Sequence, residues 1–334
     1  MTTSTRTPPA TDFPITFEDV RAARERISGY LPPTPLRSYP QLGEIVGHGI
    51  EVVVKHENHQ STNSFKIRNG LSFMTALSPS ERRRGVVAAS TGNHGQGIAF
   101  GGRMLDVDTT ICVPAGNNPE KNAAMRALGA TVIEEGRDYD EAVTVMQRLC
   151  AEQGRVLAHS TNDPRIIAGA GTMTLEILEE DPRLDALVIA TGGGSQAVGA
   201  MTVAREMAPG VEVYGVQAAG APAIHDSWHA RRRLTTERAD TFADGVATRG
   251  TYDLTFPALL AGLAGMVTVT DAETAESLRT ILSITHNLVE GAGAMGFAGV
   301  RKLTDKLAGK RVGIVFCGGN LDTATLRRIL LREL

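Results

Sequence analysis

Residues that mark secreted, membrane-bound or metal-binding proteins are scarce in this 334-residue chain. Its three cysteines, Cys112, Cys150 and Cys317, are spaced neither for a disulfide framework nor for a metal site, so a reducing cytoplasm is predicted. No stretch approaches the roughly 18 apolar residues that a membrane span needs. Residues 1–12 are rich in Thr and Pro and lack the apolar segment of a signal peptide, so a disordered tail is predicted.

A nucleic-acid partner is also not predicted, because the net charge is −3 and the arginine runs 82–84 and 231–233 are short. Hydrophobic residues make up 42% of the chain and charged residues 21%, as in a globular protein. The length suits either two modest domains or one large α/β unit.

A repeated pattern of short apolar strand, turn and helix runs through most of the chain. Strands are predicted at 51–55, 85–89, 108–114, 130–134, 155–159, 186–190, 212–217 and 311–317. Helices are predicted at 16–29, 67–77, 95–105, 119–128, 140–153, 165–179, 197–207, 271–286 and 292–307. Such alternation predicts parallel-rich sheets covered by helices, whereas residues 218–270 show no regular pattern.

Lys66 follows Phe65 inside a run of small polar residues and precedes an apolar stretch predicted to be helical. A lysine in this position is most often a solvated surface charge. It becomes catalytic when its pKa is lowered or its amine is used covalently. The loops that follow the predicted strands favour this second interpretation.

Two of these loops are suited to bind anions, since ligands of open parallel sheets collect at the carboxyl ends of the strands. Residues 89–95 read Ala-Ser-Thr-Gly-Asn-His-Gly, and their helix N-terminal amides favour a carboxylate, although an ordinary N-cap would also explain Ser90 or Thr91. Residues 191–195 read Thr-Gly-Gly-Gly-Ser and expose bare amides that can bind a phosphate. Neither a P-loop lysine nor a dinucleotide fingerprint accompanies them.

Two further segments are candidates by position. Cys317 and the following Gly-Gly-Asn end the last predicted strand, although their composition alone indicates only a turn. Glu290 lies among apolar and small residues, so it is either a charge at a helix N-terminus or a buried acid with a chemical role.

Together and in this order, over residues 16–330, the motifs resemble the second structural class of pyridoxal-phosphate enzymes, and within it the serine/threonine dehydratases and serine racemases. The resemblance implies a two-domain α/β fold of the tryptophan synthase β type (fold type II). Residues 1–80 and 164–334 would form a large cofactor-binding domain and residues 81–163 a small substrate-carboxylate domain, with no C-terminal regulatory domain. It also implies pyridoxal 5'-phosphate as cofactor, an amino-acid substrate and a homodimer.

The resemblance further implies a role for each motif residue. Lys66 would hold the cofactor aldehyde as a Schiff base and then take the Cα proton of the substrate, with Thr91 and Glu290 as further catalytic candidates. The residues expected at the cofactor ring are Phe65, Asn93 and Cys317. Those expected at its phosphate are Gly192, Gly193, Gly194 and Ser195. Those expected at the substrate carboxylate are Ser90, Thr91, Gly92 and His94.

The reaction predicted from this set is β-elimination. A neutral Cys317 beside the ring nitrogen leaves the ring a poorer electron sink, which favours loss of a β-substituent as the Cα proton departs. The expected activity is an ammonia-lyase that converts a β-hydroxy amino acid, by default L-threonine or L-serine, into a 2-oxo acid and ammonia.

Departures from the family pattern leave alternatives open. Thr91 stands where racemases have serine, which disfavours serine racemase without excluding it. Gln217 and Ala223 stand where carboxylates would hold a divalent cation, so no metal is predicted. Ser61, Asn63 and Asn69 also differ from the usual residues and leave room for a larger substrate such as hydroxyaspartate, phenylserine or a hydroxyectoine-derived amino acid. Side-chain selection is expected at Tyr139 and at residues 218–224.

Two other functions compete with these. A β-replacement synthase would add a nucleophile after the same elimination. A nucleotide-binding or ligand-sensing module could instead be built on the loop Gly192–Gly194.

Overall fold

Two β-sheets covered by helices organise the chain in this computed structural model, which describes residues 12–334. The predicted N-terminal tail, apart from Asp12, lies outside the described residues. The strands are β1 (Leu36–Ser38), β2 (Glu51–Lys55), β3 (Val86–Ala89), β4 (Thr109–Val113), β5 (Thr131–Glu134), β6 (Val156–Leu157), β7 (Ala186–Ala190), β8 (Glu212–Ala218), β9 (Gly265–Val269) and β10 (Arg311–Val315).

Helices fill most of the connections between these strands. They are α1 (Phe17–Ile27), α2 (Pro40–Val46), α3 (Lys66–Thr75), α4 (Pro79–Arg84), α5 (Asn93–Leu105), α6 (Pro119–Ala127), α7 (Tyr139–Gln153), α8 (Pro164–Glu180), α9 (Ser195–Met207), α10 (Ala223–Ala230), α11 (Thr255–Gly262), α12 (Asp271–Thr285), α13 (Gly291–Lys302), α14 (Thr304–Leu307) and α15 (Thr323–Leu330). None of the helices in residues 12–334 combines the length and apolarity that a membrane crossing requires.

The larger sheet has six strands in the order β1-β2-β10-β7-β8-β9, and the smaller has four in the order β5-β4-β3-β6. Every pair is parallel except β1 with β2. The central strands are apolar throughout because helices cover both faces. Since β2, β10 and β7 are neighbours, their carboxyl ends bring together segments that are more than 100 residues apart in the chain.

Helices α3 and α5 cross at glycines, and this contact joins the two sheets near the carboxyl ends of β2 and β3. A methyl group on Gly70 would overlap the carbonyl oxygen of Gly97, and one on Gly97 would overlap that of Lys66. Glycine is therefore required at both positions for the two backbones to approach. The result is that Lys66 faces the loop that precedes α5.

The predicted alternation of strands and helices is confirmed, with corrections at its edges. The helix predicted at 67–77 ends at Thr75, and Pro79 opens the short helix α4, whose capping box is formed by Ser78 and Glu81. The single helix predicted at 292–307 is divided at Leu303 into α13 and α14. The irregular stretch 218–270 contains α10, α11 and the edge strand β9.

Candidate active site

Every residue expected at the site lines one cleft of about 1360 Å³ between the two sheets. These residues are Phe65, Lys66, Ser90, Thr91, Gly92, Asn93, His94, Gly192, Gly193, Gly194, Ser195, Glu290 and Cys317. Their convergence follows from topology, because each lies just beyond the carboxyl end of a parallel strand or at the start of the helix that follows.

Lys66 is the first residue of α3 and is held in place by the loop after β10. The amide of Phe65 donates to the carbonyl oxygen of Cys317 at 3.0 Å, and the Ser64 hydroxyl donates to the same oxygen at 3.2 Å. The Lys66 Nζ lies 4.9 Å from the centroid of the Phe65 ring. Burial lowers the pKa of Lys66 to about 8, and the nearby Cys317 and Glu290 oppose this shift. Lys66 therefore has a larger neutral, nucleophilic fraction near neutral pH than an exposed lysine, although most of the amine is still protonated.

Glu290, Asn93 and Asn320 form a chain of hydrogen bonds beside the lysine. Asn93 Nδ2 donates to Glu290 Oε1 at 2.7 Å and to Oε2 at 3.0 Å, while Asn93 Oδ1 accepts from Asn320 Nδ2 at 2.7 Å. Glu290 directly precedes α13, yet its side chain makes no capping hydrogen bond with that helix. Burial raises the pKa of Glu290, and the bond from Asn93 opposes this rise. Of the two interpretations of Glu290, the structure thus favours an acid directed into the cleft.

The loop after β3 presents backbone donors at the start of α5. The Ser90 hydroxyl accepts from the amides of Gly92 at 3.2 Å and Gly95 at 2.9 Å, so it shapes the loop from inside. Among the described residues, no acceptor pairs with the amides of Thr91, Asn93 and His94. These three free donors at a helix N-terminus are suited to bind a carboxylate.

His94 is neutral and buried beneath this loop. Burial and the nearby Lys66 lower the pKa of His94 to about 3. Its Nε2 lies 2.9 Å from the carbonyl oxygen of Ala158 and therefore carries the proton. Its Nδ1 is buried with no partner in residues 12–334.

The three glycines after β7 form a tight cradle at the N-terminus of α9. Gly194 has a φ of 94°, in the left-handed region that favours glycine. A methyl group on Gly193 would overlap Thr161, and one on Gly192 would lie 2.7 Å from the carbonyl oxygen of Gly245. Because no acceptor in the described part of the chain pairs with the amides of residues 192–195, the cradle can bind a phosphate through the backbone.

Sequence reasoning assigned no role to two polar residues of this region, Gln196 and Asn320. Gln196 follows the cradle, is only 5% exposed and lines the cleft, and its Nε2 is buried without an acceptor in residues 12–334. A polar residue directly after a glycine loop was the available signal for Gln196. Nothing in the sequence links Asn320 to Asn93, which is 227 residues away.

Cys317 lies two residues beyond β10 and is 4% exposed. Burial raises the pKa of its thiol, with a further contribution from Glu290. The thiol therefore remains protonated and neutral at physiological pH.

Of the two places expected to select the substrate side chain, only Tyr139 lies at the cleft. Tyr139 lines the cleft, but the expectation for residues 218–224 is wrong, because they do not line it and three of them, Ala218, Ala221 and Ile224, are buried in the core of the six-stranded sheet. Gln217 accepts from the amides of Ile224 at 3.0 Å and His225 at 2.8 Å. Across residues 12–334, no three His, Cys, Asp or Glu side chains are grouped as metal ligands would be.

Comparison with known proteins identifies the group to which this cleft belongs. Residues 27–318 match the family model described as pyridoxal-phosphate dependent enzyme. The chain belongs to this family. The family's cofactor suits the cleft, which offers a buried amine at Lys66, an aromatic wall at Phe65, a glycine cradle for its phosphate and a neutral thiol at Cys317.

Relatives within the family include lyases and racemases. The chain is 38% identical over 320 residues to L-threonine ammonia-lyase of Thermotoga maritima, covering 96% of this chain and 79% of the relative. It is 34% identical to L-threo-3-hydroxyaspartate ammonia-lyase of Pseudomonas, covering 92% and 95% of the two chains. The solved structure of maize serine racemase superposes with a TM-score of 0.90 at 26% identity, covering 96% and 98%. The predicted family, fold class, cofactor and assignment as a pyridoxal-phosphate-dependent lyase are thereby confirmed.

Proposed function

We propose that this family member is an ammonia-lyase that converts a β-hydroxy amino acid, by default L-threonine or L-serine, into a 2-oxo acid and ammonia. The observation that carries the proposal is the buried, partly neutral amine of Lys66 in the same cleft as a phosphate-suited glycine cradle and a neutral Cys317. The 38% identity to an L-threonine ammonia-lyase supports the choice of reaction and substrate.

The cofactor, when bound, supplies an aldehyde for the lysine and a conjugated ring that accepts electrons from Cα. Lys66 would hold the aldehyde, and its free amine would accept the Cα proton of the substrate at Nζ. The amides of Thr91, Asn93 and His94 bind the substrate carboxylate. The neutral thiol of Cys317 would offer a bound cofactor ring no charged partner, which would favour loss of the β-hydroxyl.

Glu290 and Asn93 have linked roles in this scheme. Glu290 and Asn320 hold both ends of the Asn93 amide, so Asn93 has little rotational freedom at the place where it would meet the cofactor ring. The raised pKa of Glu290 allows this group to carry a proton closer to neutral pH than an exposed glutamate could.

A larger β-hydroxy amino acid is the second candidate substrate. Tyr139 supplies an aromatic wall of the cleft that could contact a larger side chain. The 34% identity to a hydroxyaspartate ammonia-lyase supports this candidate. Serine racemase is less favoured because Thr91 adds a methyl group where racemases have serine.

The decisive experiment is a panel of β-hydroxy amino acids with 2-oxo acid and ammonia as readouts, run with wild type, Lys66→Ala and the exposed control Lys306→Ala. Lys66→Ala is expected to lose both the colour of the bound cofactor and at least about a thousandfold in turnover, since it removes the covalent group. The control is expected to retain both. Turnover by Lys66→Ala, or D-serine formed faster than 2-oxo acid, would contradict the proposal.

We also propose that the strands of the four-stranded sheet and their helices form the smaller, substrate-binding domain at residues 81–163. A homodimer in the cytoplasm is proposed by analogy, and the three free cysteines suit a reducing compartment. Sedimentation analysis tests the dimer.

A further inference from the structure

Gln196 is the second residue of α9, directly beyond the glycine cradle. Its side chain is 5% exposed and lines the cleft, and its Nε2 has no acceptor in the described part of the chain. A buried amide donor without a partner is unfavourable, because its lost hydrogen bond to water is not replaced. An acceptor supplied from outside the chain would remove this cost.

The surroundings of Gln196 define the kind of acceptor. Groups next to it in the cradle are backbone amides, which are donors like Nε2 itself. The Thr255 hydroxyl is already used, because it donates to the carbonyl oxygen of Gly193 at 2.7 Å. Several N–H groups that converge at a helix N-terminus require an anion with several oxygens.

Three carboxylates of the cleft are engaged elsewhere and do not satisfy this donor. Asp244 pairs with Lys121 at 2.7 Å, Asp140 pairs with Arg249, and Glu290 accepts from Asn93. An acceptor that binds in the cleft would therefore complete the hydrogen bonds of Gln196.

We propose that the Gln196 side chain is a direct ligand of the cofactor phosphate, donating from Nε2 to one phosphate oxygen in addition to the backbone amides of residues 192–195. The proposal rests on the proposed use of the glycine cradle as the phosphate site. Gln196 then contributes to cofactor affinity through the phosphate group and not through the ring or the aldehyde.

Binding of pyridoxal phosphate and of pyridoxal, which lacks the phosphate, to full-length apoprotein tests this role. Gln196→Met keeps the unbranched shape and removes the donor, and it is expected to weaken pyridoxal phosphate binding by about tenfold while pyridoxal binding stays within twofold. Gln196→Glu places a negative charge against the phosphate and is expected to cause a larger loss. Gln153→Met, at the exposed end of α7, is the matched control and should change neither affinity.

Inorganic phosphate supplies an independent probe, since it should compete with pyridoxal phosphate and do so more weakly in Gln196→Met. Equal losses for both cofactor forms, or no loss in Gln196→Met and Gln196→Glu, would overturn the inference. Wild type that binds neither form would instead contradict the proposed function.

Discussion

Burial changes the chemistry of individual side chains in this cleft without any unusual residue type. The same exclusion of water lowers the pKa of Lys66, lowers that of His94 and raises those of Glu290 and Cys317. In each case the uncharged form is favoured. The cleft therefore contains proton donors and acceptors whose pKa values are shifted toward the uncharged form, and such shifts are typical of general acid–base catalysis.

The pH dependence of cofactor capture follows from the lowered pKa of Lys66. Only the neutral amine attacks an aldehyde, so the capture rate of the apoprotein should rise with pH and level off above about 8. An ordinary lysine would continue to gain up to its usual value of 10.5. Stopped-flow absorbance between pH 6 and 11 measures this, and a midpoint above 10 would contradict the prediction.

At the scale of helices and strands, a buried set of charges fixes the start of α3. The Arg68 guanidinium lies between Glu57, with Nε to Oε2 at 2.8 Å, and Glu176, with Nη1 to Oε1 at 2.7 Å. Lys55 Nζ contacts Glu176 Oε2 at 2.7 Å, and all four side chains are at most 5% exposed. Two cations and two anions give no net charge, so the set ties α3 to β2 and α8 at limited electrostatic cost.

Arg68→Met should therefore destabilise the chain by about 3–5 kcal/mol, because two buried carboxylates lose their main partner. Arg21→Met is the control, since the exposed pair of Arg21 with Glu18 should contribute under about 1 kcal/mol. Urea unfolding of both variants measures the difference.

The same charges predict acid sensitivity. Burial raises the pKa of Glu176, but Arg68 and Lys55 outweigh it, and the pKa ends below the usual 4.5. A lowered folded-state pKa contributes stability that is present above 4.5 and is lost as pH falls below that value. If the unfolding free energy of Arg68→Met equalled that of wild type at pH 7, the stabilising role of these buried charges would be contradicted.

Regular elements could be predicted from sequence where apolar periodicity alone determines them. Edge strand β9 was missed because three of its five residues are only partly buried, so its apolar run is interrupted. Helix α4 was missed because Pro79 reads equally as the end of one helix or the first position of the next.

Site residues, like helices and strands, could be predicted where a local sequence pattern determines them and not where distant contacts do. Motif residues such as Lys66 and Gly193 were predicted because each lies next to a strand end. Asn320 and Gln196 acquire their roles from contacts between distant segments or from burial, and single-sequence patterns do not encode these.

On the scale of the whole molecule, polar contacts across the cleft join the layers of the two sheets. Lys121 on α6 reaches Asp244 at 2.7 Å, Arg249 pairs with Asp140 on α7, and the Thr323 hydroxyl donates to Glu120 Oε1 at 3.0 Å. In each contact, one residue belongs to the helices around the four-stranded sheet and the other to segments of the six-stranded sheet.

Asp244→Asn should weaken these contacts across the cleft, because it removes the charge that pairs with Lys121. Amide hydrogen exchange should become faster at residues 90–95 and 192–196, with a loss of global stability under about 1 kcal/mol since Asp244 is largely exposed. Asp253→Asn breaks the exposed pair with Arg233, which does not cross the cleft, and should leave this exchange unchanged. Equal exchange in both variants would contradict the role of Asp244.

The position of β10 between β2 and β7 has a consequence for synthesis of the protein. Ribosomes deliver the lysine early and the cradle midway, but the strand that lies between them emerges only after residue 311. At about 5–20 residues per second, a nascent chain spends many seconds with β2 and β7 unjoined. Coenzyme binding is thus expected only after this strand has been synthesised. A product truncated before it is expected not to bind the coenzyme.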